Sequence, residues 1–340
     1  MTSQKPQQTT SGTPSAAPPA PAAKPAYAIA AGLAALLMVA LLIGIKSYAY
    51  LQSGSLSVLA SLVDSIVDSG VSLMNLLVIL YAIRPADRDH RYGHGKAEGL
   101  AALAQGLFIA GAALYLLSEA ATRFLHQEAV SDHGLAIAVM GVSVILSYAL
   151  VRFQSYALRR APSLAIEADQ AHYSMDIAVN SGVIVTIIMI YYGAPGWIDP
   201  LFALGVAAYL AYVAWHIGRK GLDMLLDREL PEPDRQTILT LARQDKDVLG
   251  VHDLRTRKSG MAVHIFFDVE LDPKLSLESA HSITTRIERT LLQHFPNAEI
   301  MIHMDPYGQP EDASRHASFK SEAFKKDDPP PKKAKKKRKT

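Results

Sequence analysis

Six long apolar segments occupy residues 26–225 and restrict what this chain can fold into. A helix needs about 20 apolar residues to cross the hydrocarbon core of a bilayer, and each segment comes close to that length. We place the segments at residues 27–51, 56–83, 97–124, 134–158, 163–192 and 197–222. The sequence therefore predicts a membrane protein whose transmembrane domain, residues 26–225, is an all-α six-helix bundle.

The overall composition agrees with one membrane half and one soluble half. Only 19% of the 340 residues are charged, whereas soluble domains carry about 25%, and most of the charges follow residue 217. The formal net charge of +2 gives no general attraction to nucleic acid, so we expect no such partner. The chain has no cysteine, which leaves histidines and carboxylates as the ligands for any metal.

The two ends of the chain are compositionally distinct from the rest. Residues 1–25 are rich in Pro, Ala, Ser, Thr and Gln and lack the basic start of a cleaved signal, so we expect a disordered cytoplasmic leader. Residues 308–340 end in a basic run, 332–339, that follows three prolines, which predicts a disordered basic tail. Contact of this tail with anionic membrane lipid is the alternative to a solvated tail.

The distribution of Lys and Arg predicts how the helices are oriented. Three connections between segments are poor in these residues, whereas the other connections and the end of the sixth segment carry Arg84, Arg88, Arg91, Lys96, Arg152, Arg159, Arg160, Arg219 and Lys220. Basic loops stay on the cytoplasmic side of a membrane. We therefore expect both termini in the cytoplasm, in agreement with an even number of spans.

Residues 226–307 have the pattern of a soluble cytoplasmic domain. We expect a helix at 234–244, strands at 248–256 and 263–271, a helix at 276–295 capped by Ser276, and a strand at 299–304. The second strand has the period of a half-buried strand, with its inward set at Ile265, Phe267, Val269 and Leu271. The order αββαβ predicts an α+β, ferredoxin-like or metallochaperone-like fold with helices on one face of a small sheet.

Four ionisable residues inside the apolar segments mark a candidate metal site. Asp64 and Asp68 in the second segment, and His172 and Asp176 in the fifth, are each spaced i, i+4, which puts both members on one helix face. At about 1.5 Å per residue, both pairs lie roughly 12–21 Å deep, near the midplane of the bilayer. Three carboxylates and one imidazole suit tetrahedral Zn²⁺, with Fe²⁺, Mn²⁺ and Cd²⁺ as alternatives. The alternative to a metal site is a set of separate polar residues, each hydrogen-bonded to a neighbouring helix. The matched depth and spacing of the two pairs disfavour this alternative.

Three stretches of this sequence resemble the cation diffusion facilitator family, and within it the bacterial zinc and ferrous-iron efflux pumps. They are residues 61–68, the loop 84–98 and residues 168–176, and the resemblance extends over residues 27–307. It implies a homodimer in the bacterial inner membrane that exports divalent metal ions in exchange for protons by alternating access. It also implies that Asp64, Asp68, His172 and Asp176 form the transport site, in a composition similar to that of members accepting Zn²⁺, Cd²⁺ and sometimes Fe²⁺. An exporter of the same family that prefers Mn²⁺ or Fe²⁺ is the nearest alternative.

A second candidate site lies in the loop after the second segment. Asp87, His90 and His94 form the pattern Asp-x₂-His-x₃-His, which offers three metal ligands. The spacing alone is equally compatible with a metal site and with a solvated loop that binds no metal. The resemblance favours an exposed metal site, whose role in recruitment or regulation the sequence does not decide.

The soluble domain carries a third set of candidate ligands, His252, Asp268, His281, His303 and Asp305. The resemblance implies one regulatory Zn²⁺ held by His252, Asp268 and Asp305, and another held by His281, His303 and Asp305. The chain departs from the family pattern at Asp268, where a histidine is usual. The resemblance further implies an inter-subunit ion pair between Lys96 and Asp227; two unpaired interfacial charges are the alternative.

Other functional classes explain the intramembrane residues less well. An intramembrane aspartyl protease needs one Asp on each of two helices and no histidine, and no Gly-x-Gly-Asp motif is present. A metalloprotease would need His-Glu-x-x-His, which is absent. A metal sensor leaves the midplane ligands unexplained, and a passive channel would be blocked by a tight four-ligand cage. We therefore expect a metal cation:proton antiporter rather than an enzyme.

Overall fold

The computed structural model describes residues 24–53, 56–125 and 134–308. Nearly all of the predicted leader, 1–25, and of the predicted basic tail, 308–340, lies outside these residues. The described chain divides by its contacts into two compact units, one formed by residues 24–229 with 256–264 and the other by residues 230–255 with 265–308.

The first unit contains six long helices, each of them long and apolar enough to cross a membrane. They are α1 (Pro25–Ser53), α2 (Leu56–Ala82), α3 (Ala97–Leu125), α4 (Gly134–Leu158), α5 (Leu164–Tyr191) and α6 (Ile198–Leu225). The prediction of a six-helix transmembrane bundle is confirmed, and the predicted segments overlap these helices closely, because long apolar runs leave little freedom in the assignment.

The most extensive contacts between helices join α3 with α6, α1 with α2, and α4 with α5. Small residues allow the α3–α6 approach, because a Cβ atom on Gly221 would lie only 2.7 Å from the carbonyl oxygen of Gly99. A Cβ atom on Gly106 would likewise lie 3.0 Å from the Cα atom of Gly218. Close backbone packing through glycine is a common way for helices to associate in lipid.

Two side chains hold the start of α5, the helix that carries the predicted His172 and Asp176. The Ser163 hydroxyl accepts a hydrogen bond from the Ile166 amide at 3.4 Å. The Glu98 carboxylate accepts one from the Leu164 amide at 2.7 Å. These bonds satisfy backbone donors that have no partner inside the helix, so the position of α5 is fixed at one end by a cap and by α3.

The second fold region is the small α+β domain, with its elements in the order αββαβ as predicted. They are α7 (Glu232–Arg243), β1 (Gly250–Ser259), β2 (Ala262–Leu271), α8 (Leu277–His294) and β3 (Ala298–Pro306). The sheet order is β1-β2-β3, and the predicted inward residues of β2 from Ile265 to Leu271 are all buried. The Ser276 hydroxyl caps α8 by accepting from the Ser279 amide at 3.2 Å. The α+β prediction is confirmed.

Candidate metal centres

The membrane unit brings three of the four predicted transport ligands to one point. Asp68 on α2 and His172 and Asp176 on α5 each offer a ligand atom within 4.8 Å of the others. His172 Nε2 lies 3.0 Å from Asp68 Oδ1 and 3.9 Å from Asp176 Oδ2. His172 and Asp68 are both buried. Two carboxylates and one imidazole in this geometry offer oxygen and nitrogen ligands to a divalent transition metal.

Asp64, the fourth predicted ligand, lies outside this three-residue group. Its side chain is exposed, whereas Asp68 is 8% exposed. The i, i+4 spacing does not decide this, because His172 and Asp176 have the same spacing and both belong to the group. The packing of α2 against its neighbours buries Asp68 and leaves Asp64 exposed. Asp64 still lies near enough for its charge to interact with Asp68, Lys46 and His172, so it borders the group.

A buried polar stripe on α2 extends beyond Asp68 and was missed by the sequence analysis. Its members are Ser65, Asp68, Ser72 and Asn75. The Ser72 hydroxyl is hydrogen-bonded to the Tyr173 hydroxyl of α5 at 2.5 Å, and Ser65 accepts from Lys46 of α1 at 2.7 Å. The spacing of the stripe, at steps of three and four residues, was the available sequence signal.

Asp169 forms a second buried polar cluster, three residues before His172 on α5. Its two carboxylate oxygens accept from Asn75 Nδ2 at 2.9 Å and from Gln154 Nε2 at 2.7 Å. Asn75 also donates to Gln105 Oε1 at 2.9 Å. The cluster therefore links helices α2, α3, α4 and α5 next to the three-residue metal group. Sequence analysis assigned no role to Asp169.

The predicted loop ligands also come together. Asp87, His90 and His94 offer ligand atoms that lie within 4.8 Å of one another. Asp87 Oδ2 is 3.2 Å from His94 Nε2, and Asp87 Oδ1 is 3.4 Å from His90 Nδ1. His94 is buried and packs edge-on against the ring of Tyr81, whereas His90 and Asp87 are exposed. The group is therefore open to the loop surface and anchored at one histidine.

Backbone donors favour the ionised form of Asp87. The amides of His90 and Asp89 both donate to Asp87 Oδ1, at 2.6 and 2.9 Å. The His90 amide is the main cause of a pKa for Asp87 below its ordinary value. A carboxylate that stays ionised at low pH is a competent ligand over a wide pH range.

In the soluble domain, the three strands of the sheet contribute one ligand each. His252 on β1, Asp268 on β2 and Asp305 on β3 offer atoms within 4.8 Å of one another. His303, two residues before Asp305 and on the same face of β3, places its Nε2 atom 3.2 Å from Asp305 Oδ1. His281 on α8 is exposed and lies outside this group of the described residues. The structure thus assembles the first of the two predicted ligand sets and only part of the second.

Burial raises the pKa of Asp268 above its ordinary value, an effect opposed by the nearby His252 and His303. A carboxylate that resists ionisation is more readily protonated, and protons compete with metal for it. Asp268 is therefore protonated more readily than an ordinary aspartate.

The predicted partners Lys96 and Asp227 pair within one chain. Lys96 Nζ lies 3.0 Å from Asp227 Oδ2, and Arg257 Nη1 lies 3.4 Å from the same oxygen. Asp227 has a positive φ of 56°, a backbone conformation in which Asp is one of the better tolerated residues. The pair joins the start of α3 to the residues that follow α6.

Two family models match consecutive parts of the chain. The cation efflux transmembrane domain matches residues 32–226, and the cytoplasmic domain of cation efflux proteins matches residues 230–307. These two matches include every candidate ligand described above.

Three bacterial relatives match most of the chain. The cation-efflux pump FieF of Shewanella oneidensis is 47% identical over 78% of this chain and 89% of its own length. FieF of Yersinia enterocolitica is 43% identical over 77% of this chain and 87% of its own. FieF of Escherichia coli K12 is 41% identical over 77% and 87%, respectively.

Two solved structures are similar to a smaller part of the chain. The metal-bound C-terminal domain of the CzcD transporter from Thermotoga maritima is 27% identical and covers 24% of this chain and 100% of that one, with a TM-score of 0.23. The cytosolic domain of a cation diffusion facilitator family protein is 28% identical and covers 27% of this chain and 98% of that one, with a TM-score of 0.21.

Proposed function

The chain belongs to the cation diffusion facilitator family of cation-efflux membrane transporters, and on that premise we propose that it exports Zn²⁺ in exchange for protons. Cd²⁺ and Fe²⁺ are the further cargoes that the same ligands accept. In this proposal Asp64, Asp68, His172 and Asp176 form the transport site.

The observation that carries the proposal is the group formed by Asp68, His172 and Asp176 between α2 and α5. Ionisable groups inside a bilayer are costly and are retained mainly for function. Oxygen and imidazole ligands suit Zn²⁺, and they also bind protons when no metal is present. Asp64, whose charge interacts with Asp68 and His172, is the fourth ligand in this proposal.

The proposed cycle follows from this competition between protons and metal. In the inward-facing state the deprotonated ligands bind the ion from the cytoplasm. The bundle then rearranges to face outward, where protons compete for His172 and the carboxylates and the ion leaves. The proton gradient supplies the energy for export, because proton entry accompanies each return of the empty site.

Replacement of Asp176 tests the transport site directly. We expect Asp176→Ala to reduce Zn²⁺-driven proton flux in reconstituted vesicles to the level of empty vesicles, because the group loses one of its charged ligands. Ser174→Ala on the same helix is the control, since the Ser174 hydroxyl donates within its own helix, to Gln170 O at 2.7 Å. Full flux with Asp176→Ala, in a protein that elutes as the wild type does, would refute the proposed site.

Competition between metals tests the proposed cargo. We expect Zn²⁺ and Cd²⁺ to drive the largest flux, Fe²⁺ less and Mn²⁺ least, because an imidazole in the site favours borderline-soft ions over hard ones. The assay is run at two pH values, and acidification of the side to which the metal is added should lower metal loading, because protons compete with the metal for the ligands. Preferential transport of Mn²⁺ would replace this proposal with the manganese alternative.

The other two metal groups support a regulatory proposal. Zn²⁺ bound by His252, Asp268, His303 and Asp305 would stabilise a homodimer and favour transport, and the loop group of Asp87, His90 and His94 would recruit metal from the cytoplasm. We expect His303→Ala to reduce the Zn²⁺ dependence of the dimer fraction in analytical ultracentrifugation. An unchanged Zn²⁺ dependence would leave the transport proposal intact and remove the regulatory one.

A further inference from the structure

Lys46 is a buried cation on α1 that none of the candidate metal groups includes. Its side chain is 5% exposed, and it is the only charged residue of α1. A lysine within a transmembrane helix is costly, so its position calls for a specific set of partners. Its hydrogen bonds identify that set.

The lysine is held on α2 beside the acidic residues. Lys46 Nζ donates to the carbonyl oxygen of Ser61 at 3.0 Å and to the Ser65 hydroxyl at 2.7 Å. Ser65 directly follows Asp64 and precedes Asp68 by three residues, about one helical turn. Both hydrogen-bond acceptors are neutral, so the ammonium group is fixed near the carboxylates without occupying the ligand atoms.

The charge of Lys46 acts on Asp64, Asp68 and Asp176. Three carboxylates close together in an apolar bundle repel one another, and a divalent ion leaves one negative charge uncompensated. One lysine supplies the missing positive charge, so the group with metal bound is neutral overall. Burial of an uncompensated charge in an apolar bundle has a high free-energy cost.

We propose that Lys46 is a built-in counter-charge of the transport site, a positioning residue that limits how tightly the site binds a divalent cation. The inference rests on the proposed function of that site. Two positive charges near the same carboxylates repel each other, so the lysine weakens metal binding and speeds release. It thereby allows a site rich in carboxylates to turn over.

Removal of Lys46 should change the metal affinity in the opposite direction from removal of a structural residue. Removal of a merely structural residue weakens binding and transport together, whereas removal of a repelling cation strengthens binding. We expect Lys46→Met to lower the Kd for Zn²⁺ roughly tenfold or more, and to lower KM and kcat together because release becomes slow. Lys46→Arg keeps the charge, so its Kd should stay close to that of the wild type.

The test uses the full chain in nanodiscs, with Zn²⁺ binding followed by calorimetry and transport followed in vesicles. The Asp176→Ala isotherm is subtracted to isolate the membrane site from the loop and soluble-domain sites. Lys46→Gln is the second neutral variant, since its amide can still donate to Ser65 if Lys46→Met fails to fold. Tighter binding with slower transport in the neutral variants, and not in Lys46→Arg, is the expected result.

Two outcomes separate this inference from the proposed function. Equal or weaker Zn²⁺ binding by the neutral variants, with normal binding and transport by the wild type, overturns the counter-charge role alone. Absence of metal-driven transport in the wild type overturns the proposed function and, with it, this inference.

Discussion

The imidazole of His172 is oriented by one hydrogen bond, to Asp68 at 3.0 Å, and by aromatic packing. Its Nε2 atom faces Asp68, while its Nδ1 atom has no hydrogen-bond partner among the described residues. The ring meets Tyr173 edge-on at 5.4 Å and Phe108 at 5.9 Å between centroids. Metal-binding histidines usually donate their second nitrogen to an acceptor, so the aromatic neighbours take over part of that orienting role here.

Asp268 gives a prediction about pH at the residue scale. Its folded-state pKa is raised by burial, so its contribution to stability is present below the unfolded pKa of about 3.9 and is lost as the pH rises through the folded pKa. We expect Asp268→Asn to stabilise the metal-free protein at pH 7 by less than about 1 kcal/mol, since solvent screens a half-exposed carboxylate. Thermal unfolding of the full chain with a chelator measures this.

The same substitution should have the opposite effect when Zn²⁺ is present. Asp268→Asn removes a charged group of the proposed soluble-domain site, so the stabilisation of the wild type by Zn²⁺ should exceed that of the variant. The metal-free difference should also vanish below about pH 3, roughly one unit under the unfolded pKa, where the carboxyl group is protonated in both states. A metal-free difference that grows on acidification would contradict the assigned pKa direction.

The contact between α3 and α6 gives a prediction at the scale of elements. We expect Gly221→Ala to destabilise the bundle by about 1–3 kcal/mol, because the new Cβ atom meets backbone atoms that cannot move independently of their helix. Those atoms are Gly99 O at 2.7 Å and Leu103 N at 2.9 Å. Thermal unfolding in detergent provides the measurement.

Gly205, on the same helix, is the matched control. A Cβ atom there meets nothing within 4 Å, so Gly205→Ala should leave the stability unchanged or raise it by up to about 1 kcal/mol. An equal loss of stability in Gly205→Ala would mean that the close α3–α6 approach is not the cause of the effect.

The Asp169 cluster gives a second prediction at this scale. Asp169→Ala removes the acceptor of one N–H bond of Asn75, which keeps its bond to Gln105, and of one N–H bond of Gln154, at a cost of about 1–3 kcal/mol each. Asp169→Asn should cost less, because Gln154 Oε1 has no partner among the described residues and can turn to accept from the new amide. Unfolding temperatures compare the two variants, and a larger loss for Asp169→Asn would contradict this account.

The absence of cysteine makes the orientation of the whole molecule directly testable. We expect Ala86→Cys, in the loop between α2 and α3, to react with a membrane-impermeant thiol reagent only from the cytoplasmic side. Tyr192→Cys, in the exposed turn after α5, should react only from the opposite side. The unsubstituted chain is the blank, and the reverse labelling pattern would invert the predicted topology.

Much of the fold could be predicted from the sequence because each element carries its own signal. Length and apolarity define the six helices, and the alternation from Ile265 to Leu271 defines β2. The i, i+4 spacing of His172 and Asp176 likewise predicts that both lie on one face of α5. These are properties of a single element, which backbone geometry alone determines.

The relations between elements were decided only by the tertiary structure. The spacing predicts Asp64 and Asp68 equally as metal ligands. Packing, however, buries Asp68 against His172 and leaves Asp64 exposed beside the three-residue metal group. Nothing local to α1 indicates that Lys46 is bonded to α2, and nothing local to α5 indicates that Asp169 joins four helices. Periodicity defines which face of a helix is polar, but the rotation of each helix against its neighbours depends on the side-chain packing of the whole bundle.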